Sequence, residues 1–110
     1  MIRKCLTLSA VAIAALAPSL VAAGPAMSTS VVSIGPDQTA CIYRAQEAIQ
    51  KSGFTTAFEV VGANVFGERG PYTASIRCIA ASGLAHIVVA GNGKDAGMHI
   101  AAIKQQFGSV

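Results

Sequence analysis

Apolar positions change their period several times along residues 36–107, and each change marks an element. Cys41, Ala45, Ala48 and Ile49 recur at helical spacing and form one apolar stripe. Gly35 is a possible N-cap, Pro36 suits the first helical position, and Asp37 complements the positive helix end. Glu47 and Lys51 form an i,i+4 pair on the polar side, and Gly53 stops the helix in the left-handed conformation. A helix is predicted over 36–52. Thr55 to Phe66 is rich in β-branched and aromatic residues and predicts a strand, followed by a turn at Gly67-Glu68-Arg69-Gly70. From Tyr72 to Ile79 the pattern alternates, with Tyr72, Ala74, Ile76 and Cys78 on one face and Thr73, Ser75 and Arg77 on the other. Leu84 to Ala90 is apolar on both faces apart from His86, as a central strand would be. Gly91-Asn92-Gly93 ends it, and Ala96, Ile100, Ile103 and Phe107 predict a last helix over 94–107, stopped by Gly108.

The register follows from the loop between the last two strands. If Ala80 to Gly83 is a four-residue connection, Ile79 faces Leu84, Cys78 lies beside Ala85, Ile76 beside Ile87 and Ala74 beside Val89. That face is apolar and carries Cys78, so it packs on the helix stripe carrying Cys41. The expected fold is α+β: a two-layer α-β-β-β-α sandwich, a three-stranded antiparallel meander with both helices on one face. The same register sets Arg77 opposite His86 on the outer face, with Thr73, Ser75 and Asn64 nearby and Phe58, Val60 and Val88 as apolar ground.

Before residue 35 the pattern is of another kind. Arg3 and Lys4 precede an apolar stretch from Ala10 to Ala17, and Val21-Ala22-Ala23 supplies the small residues a signal peptidase reads. Residues 1–23 are therefore expected to be a signal peptide, cleaved before Gly24 or, at a second site after Ala26, before Met27. The apolar run is short and broken by Pro18, whereas a span needs about 20 apolar residues, so no membrane span is expected in the mature chain. Residues 24–34 are small and without period, and read as a flexible tail in which Val31-Val32 can add an edge strand. Residues 35–108 make one domain.

Charge and cysteine content look different once the leader is set aside. The precursor carries +3, but residues 24–110 hold six basic against five acidic side chains, a net +1. The basic residues are scattered, so no nucleic-acid partner is implied. Cys5 belongs to the leader, which leaves Cys41 and Cys78. In an exported chain such a pair forms a structural bridge. The redox-active alternative usually has a Cys-x-x-Cys spacing, which is absent here.

Candidate chemistry is sparse. Gly91-x-Gly93-x-x-Ala96 matches a dinucleotide fingerprint, but that site needs a further parallel strand and an acidic residue about 20 positions on, so the stretch reads as a glycine-rich turn. The alternative use is anion binding at this helix N-terminus with Lys94. His99 and Asp95 supply at most two of the three or four ligands zinc wants and read as a solvated helix face, so no metal or cofactor is expected. No Gly-x-Ser-x-Gly elbow and no acid placed to orient His86 are evident, so no catalytic residue is assigned and an enzyme is not expected. What remains is the outer face: Arg77 and His86 among Thr73, Ser75, Asn64 and Val88, able to hold a carboxylate or phosphate, or simply solvated.

The stretch Phe66-Gly67-Glu68-Arg69-Gly70-Pro71-Tyr72-Thr73-Ala74-Ser75-Ile76-Arg77-Cys78, followed by Val88-Val89-Ala90-Gly91, resembles short exported bacterial proteins with a Cys-bearing first helix and a glycine-rich hairpin ending in Ile-Arg-Cys. The resemblance covers most of 37–107. It implies the fold and an envelope location and transfers no catalytic residue. The sequence therefore points to a periplasmic or secreted binding module. It would meet a protein partner or a second copy through the outer sheet face, or a small anionic ligand there.

Overall fold

The structure is a computed structural model and describes residues 26–108. The leader expected over 1–23 lies outside the described residues. The elements are β1 (Ala26–Ser33), α1 (Gln38–Lys51), β2 (Thr56–Val61), β3 (Asn64–Arg69), β4 (Tyr72–Ile79), a 3-10 turn (Ala80–Ser82), β5 (Leu84–Gly91) and α2 (Ala96–Phe107). The strands form one antiparallel sheet in the order β1-β5-β4-β3-β2. The α+β class stands, but the sheet has five strands where three were expected.

Both extra strands have a physical origin. The β-branched run from Thr55 to Phe66 turns back on itself at Gly62-Ala63, with Gly62 at φ 60°, so a single expected strand becomes the β2–β3 hairpin. Strand propensity runs on through the turn, which hides it. Residues 26–33, expected as part of a flexible tail, form β1, paired along its whole length with β5. Its serines and threonine have little burial to announce a strand; the ladder with β5 supplies the order.

The β4–β5 register is as expected: Ile79 pairs with Leu84, Cys78 with Ala85, Ile76 with Ile87 and Ala74 with Val89. Both helices lie on that face, α1 over β3 and β4, α2 over β1 and β5, and they touch each other. The predicted stripes are the buried ones: Cys41, Ala45, Ala48 and Ile49 on α1, and Ala96, Ile100, Ile103 and Phe107 on α2. Phe54, in the loop after α1, joins them fully buried.

The Cys41–Cys78 disulfide joins α1 to β4, with the Cα atoms 6.0 Å apart, inside the range of about 4.4–6.8 Å that a bridge accepts. Beside it, the Gln38 side-chain amide donates to the Cys78 carbonyl (2.8 Å) and accepts from the Ala80 N–H (2.9 Å). The cap of α1 is Asp37, whose Oδ1 accepts from the Ala40 N–H at 3.0 Å. Gly35 is therefore not the cap, because it has no side-chain acceptor to offer and Asp37, two residues on, does. Gly53 follows the helix at φ 89°, as expected.

Candidate functional site

The sheet face turned away from the helices presents cross-strand rows, since directly paired residues share a face. One row holds Val31, His86, Arg77, Asn64 and Val61; the next holds Thr29, Val88, Ser75, Phe66 and Glu59; a third holds Met27, Ala90, Thr73, Glu68 and Thr56. Asn64, Arg77 and His86 are thus direct neighbours, Ser75 and Val88 lie one row on, and Thr73 beyond them. Arg77 and Thr73 are exposed; His86, Asn64, Ser75 and Val88 are half-buried.

Phe58 and Val60 are not on this face. Val60 pairs with Val65, which is fully buried on the helix side, and Phe58 packs against the core. The two-residue turn at Gly62-Ala63 exchanges odd for even positions, so Glu59 and Val61 come to the outer face in their place. A bulge between Thr56 and Glu59, with Ala57 at φ 51°, adds one residue to β2 and then restores the pairing at Thr56.

The hairpin also creates a cleft of about 250 Å³ that sequence reasoning missed, lined by Ala57, Glu59, Val61, Phe66, Glu68 and Thr73. Reading Gly62 as a turn residue was the signal that would have revealed it. The two carboxylates and the Phe66 and Val61 side chains make this end of the face acidic over an apolar floor. Arg77 and His86 are absent from its lining, so the concave part of the face is separate from the cationic part. A second hollow of about 230 Å³ lies beside the disulfide, where Ile34, Pro36 and Ala40 meet Arg44.

Other candidate residues have structural work. His99, expected on a solvated helix face, is half-buried and meets the rings of Tyr72 (centroids 4.6 Å apart) and Phe54 (5.4 Å) edge-on. Ring packing against β4 and the α1–β2 loop, invisible from helix spacing alone, draws it inward. The Tyr72 hydroxyl accepts from the Asp95 N–H at 2.7 Å. A Cβ at Gly93 would collide with that hydroxyl, and one at Gly91 with the Pro71 carbonyl, so this Gly-x-Gly makes room for Tyr72. The Arg44 guanidinium lies over the Phe107 ring, 4.3 Å from its centre, and donates to the carbonyls of Phe107 (2.9 Å) and Gly108 (3.2 Å). Arg69 donates to the Ser52 carbonyl at 2.8 Å. Two of the basic side chains thus hold helix C-termini, while Arg77 faces solvent.

No helix among the described residues is long and apolar enough to cross a membrane. No family model, curated protein or solved structure matches the chain.

Proposed function

We propose that the protein is an exported, disulfide-stapled interaction module that docks a protein partner on its open sheet face. The observation that carries this reading is the separation of features on that face. Arg77 and His86 stand on its open part, Glu59 and Glu68 around a cleft at its other end, and Val88, Phe66, Val61 and Val31 lie between and beside them. A small anion is best held where donors converge in a hollow, and the hollow here is acidic. A protein surface can meet separated charges and apolar ground together, the charges setting orientation and the apolar centre supplying affinity. Export rests on the leader-like residues 1–23, and the disulfide is what an oxidising compartment permits. With both cysteines of 24–110 in that bridge, the role is proposed as binding and not catalysis.

The double variant Arg77→Glu with Val88→Asp alters two neighbouring rows without entering the core. Proteins recovered with the tagged wild type from envelope extracts by mild cross-linking should be lost from this variant, with the disulfide and melting temperature retained. Unchanged recovery would remove the face from consideration. If citrate or phosphate, but no protein, raises the melting temperature of the wild type and not of the variant, the partner is a small anion and the protein-docking reading fails.

A further inference from the structure

The two edges of the sheet are built differently, and the difference singles out β1. At the β2 edge, the bulge, the Ala57 backbone at φ 51° and the Glu59 carboxylate interrupt the pairing surface. These devices keep another strand from adding. The β1 edge has none of them: Ala-Met-Ser-Thr-Ser-Val-Val-Ser carries no charge, no proline and no bulge, and keeps unbroken register with β5. Among the described residues β1 has a neighbour on one side only.

The direction of its free hydrogen-bonding groups can be read from the next residue. The Ile34 N–H donates to the Gly83 carbonyl at 2.9 Å, toward β5. Successive residues alternate, so Ser28, Ser30 and Val32 also point their N–H and C=O groups at β5, while Met27, Thr29, Val31 and Ser33 point theirs at the open side. The side chains of Met27, Thr29 and Val31 share the outer face, where Met27 and Val31 are 67% and 57% exposed.

We infer that β1 pairs with the β1 of a second copy, antiparallel across a two-fold axis at Thr29, joining two five-stranded sheets into one. Thr29 then faces the second copy's Thr29, and Met27 faces the second copy's Val31. All of these residues have open-side groups, so each pair exchanges both of its hydrogen bonds. The two exposed hydrophobic side chains become cross-strand partners beside a Thr–Thr pair, both favourable combinations, and no charges are opposed. Self-pairing is favoured over a foreign strand because the complement of each position is already present in the same eight residues.

The helical layer fits the same axis. α2 packs on β1 and β5 together. With strands about 4.8 Å apart, a helix seated between them lies about 5 Å from a two-fold just beyond β1. The two α2 helices then lie about 10 Å apart, a normal helix-packing distance. His99 marks the flank of α2 that faces Tyr72 and Phe54. The opposite flank carries Gly97, Ala101 and Lys104, all exposed, with open space around Gly97 among the described residues, so the helices can close at Gly97 and Ala101 with the two Lys104 ammonium groups turned out to solvent.

Sedimentation equilibrium of the protein as isolated from cells, its N-terminus read by intact mass, should give twice the chain mass. Thr29→Pro should give a monomer with unchanged disulfide and circular dichroism. Its missing N–H is on the open side, where an edge strand tolerates proline. Ser30→Pro, which removes a bond to β5, should instead lower the melting temperature. Thr29→Cys should be joined into a covalent dimer by a short thiol-to-thiol cross-linker, because hydrogen-bonded partners sit about 5.5 Å apart at Cα; Val31→Cys, set four residues out of register with its own copy, should not. The Arg77→Glu/Val88→Asp variant should remain dimeric, which separates this inference from the docking face. A monomeric wild type, including one whose edge is occupied by its own residues before 26, overturns the inference, as does a Thr29→Pro protein that stays dimeric.

Discussion

Gln38 and Arg44 show how much single side chains of α1 contribute beyond their place on a helical wheel. Gln38 substitutes for a backbone partner of Cys78 and Ala80, beside the bridge. Arg44 closes the end of α2 through two carbonyls and an aromatic face. The bridge closes a separation of 37 residues, worth about 3–4 kcal/mol on a chain-entropy view. In a domain of this size the doubly substituted Cys41→Ala/Cys78→Ala protein should melt on the order of 15–25 °C lower, measured by calorimetry. Ser52 offers the opposite case. Its hydroxyl is buried with no hydrogen-bond partner among the described residues, while its carbonyl is held by Arg69. Ser52→Ala keeps the carbonyl and removes the unsatisfied group, so stability should be unchanged or rise by up to about 1 kcal/mol in urea unfolding. A clear loss would show that the hydroxyl has a partner in solution.

At the scale of elements, ends and faces can be tested separately. Asp37 caps α1 through Oδ1, whereas among the described residues nothing lies within 4 Å of a Cβ placed on Gly35. Asp37→Ala should cost about 1 kcal/mol, and Gly35→Ala should change stability by less than about 0.5 kcal/mol, as for other surface substitutions; equal losses would return the cap to Gly35. On β4, Ile76 is fully buried beneath the helices and Thr73 is exposed on the outer face. Ile76→Asp should lose several kcal/mol, comparable with the whole stability of a small domain, while Thr73→Asn, which opposes no second charge to its cross-strand partner Glu68, should lose under about 0.5 kcal/mol. Soluble yield of the two variants from the same expression checks the difference. The β4–β5 pairing was legible in advance because one short loop set it and two independent patterns, alternation and cysteine position, agreed on the face. The β2–β3 hairpin was not, because valine favours a strand on either side of a turn and a lone glycine does not declare a change of direction.

Across the whole molecule, the sheet divides the labour. Its inner face and two helices make the core, and its outer face carries Arg77, His86 and the acidic cleft. The proposed pairing through β1 would set two such faces side by side, so that a partner with two contact points would meet them with a gain in avidity. Dissociating the dimer by Thr29→Pro should then weaken capture of such a partner while leaving Arg77, His86 and the acidic cleft in place, a comparison that binding at high and low surface density can make.

What the chain determined alone was whatever depends on local period and on counting. The apolar stripes of α1 and α2, the alternation of β4 and the meeting of Arg77 with His86 follow from neighbours a few residues apart or from one short loop, and the pairing of Cys41 with Cys78 follows from there being two cysteines after residue 23. Tertiary structure decided the rest. Ala26–Ser33 is a strand because β5 offers a ladder, not because its own residues demand one. Glu59 and Val61 took the places expected of Phe58 and Val60 because a two-residue turn reverses parity. His99 is half-buried because Tyr72 and Phe54 arrive from elsewhere in the chain. In each case the deciding contact joins residues distant in sequence, and a pattern read along the chain registers only the energies of near neighbours.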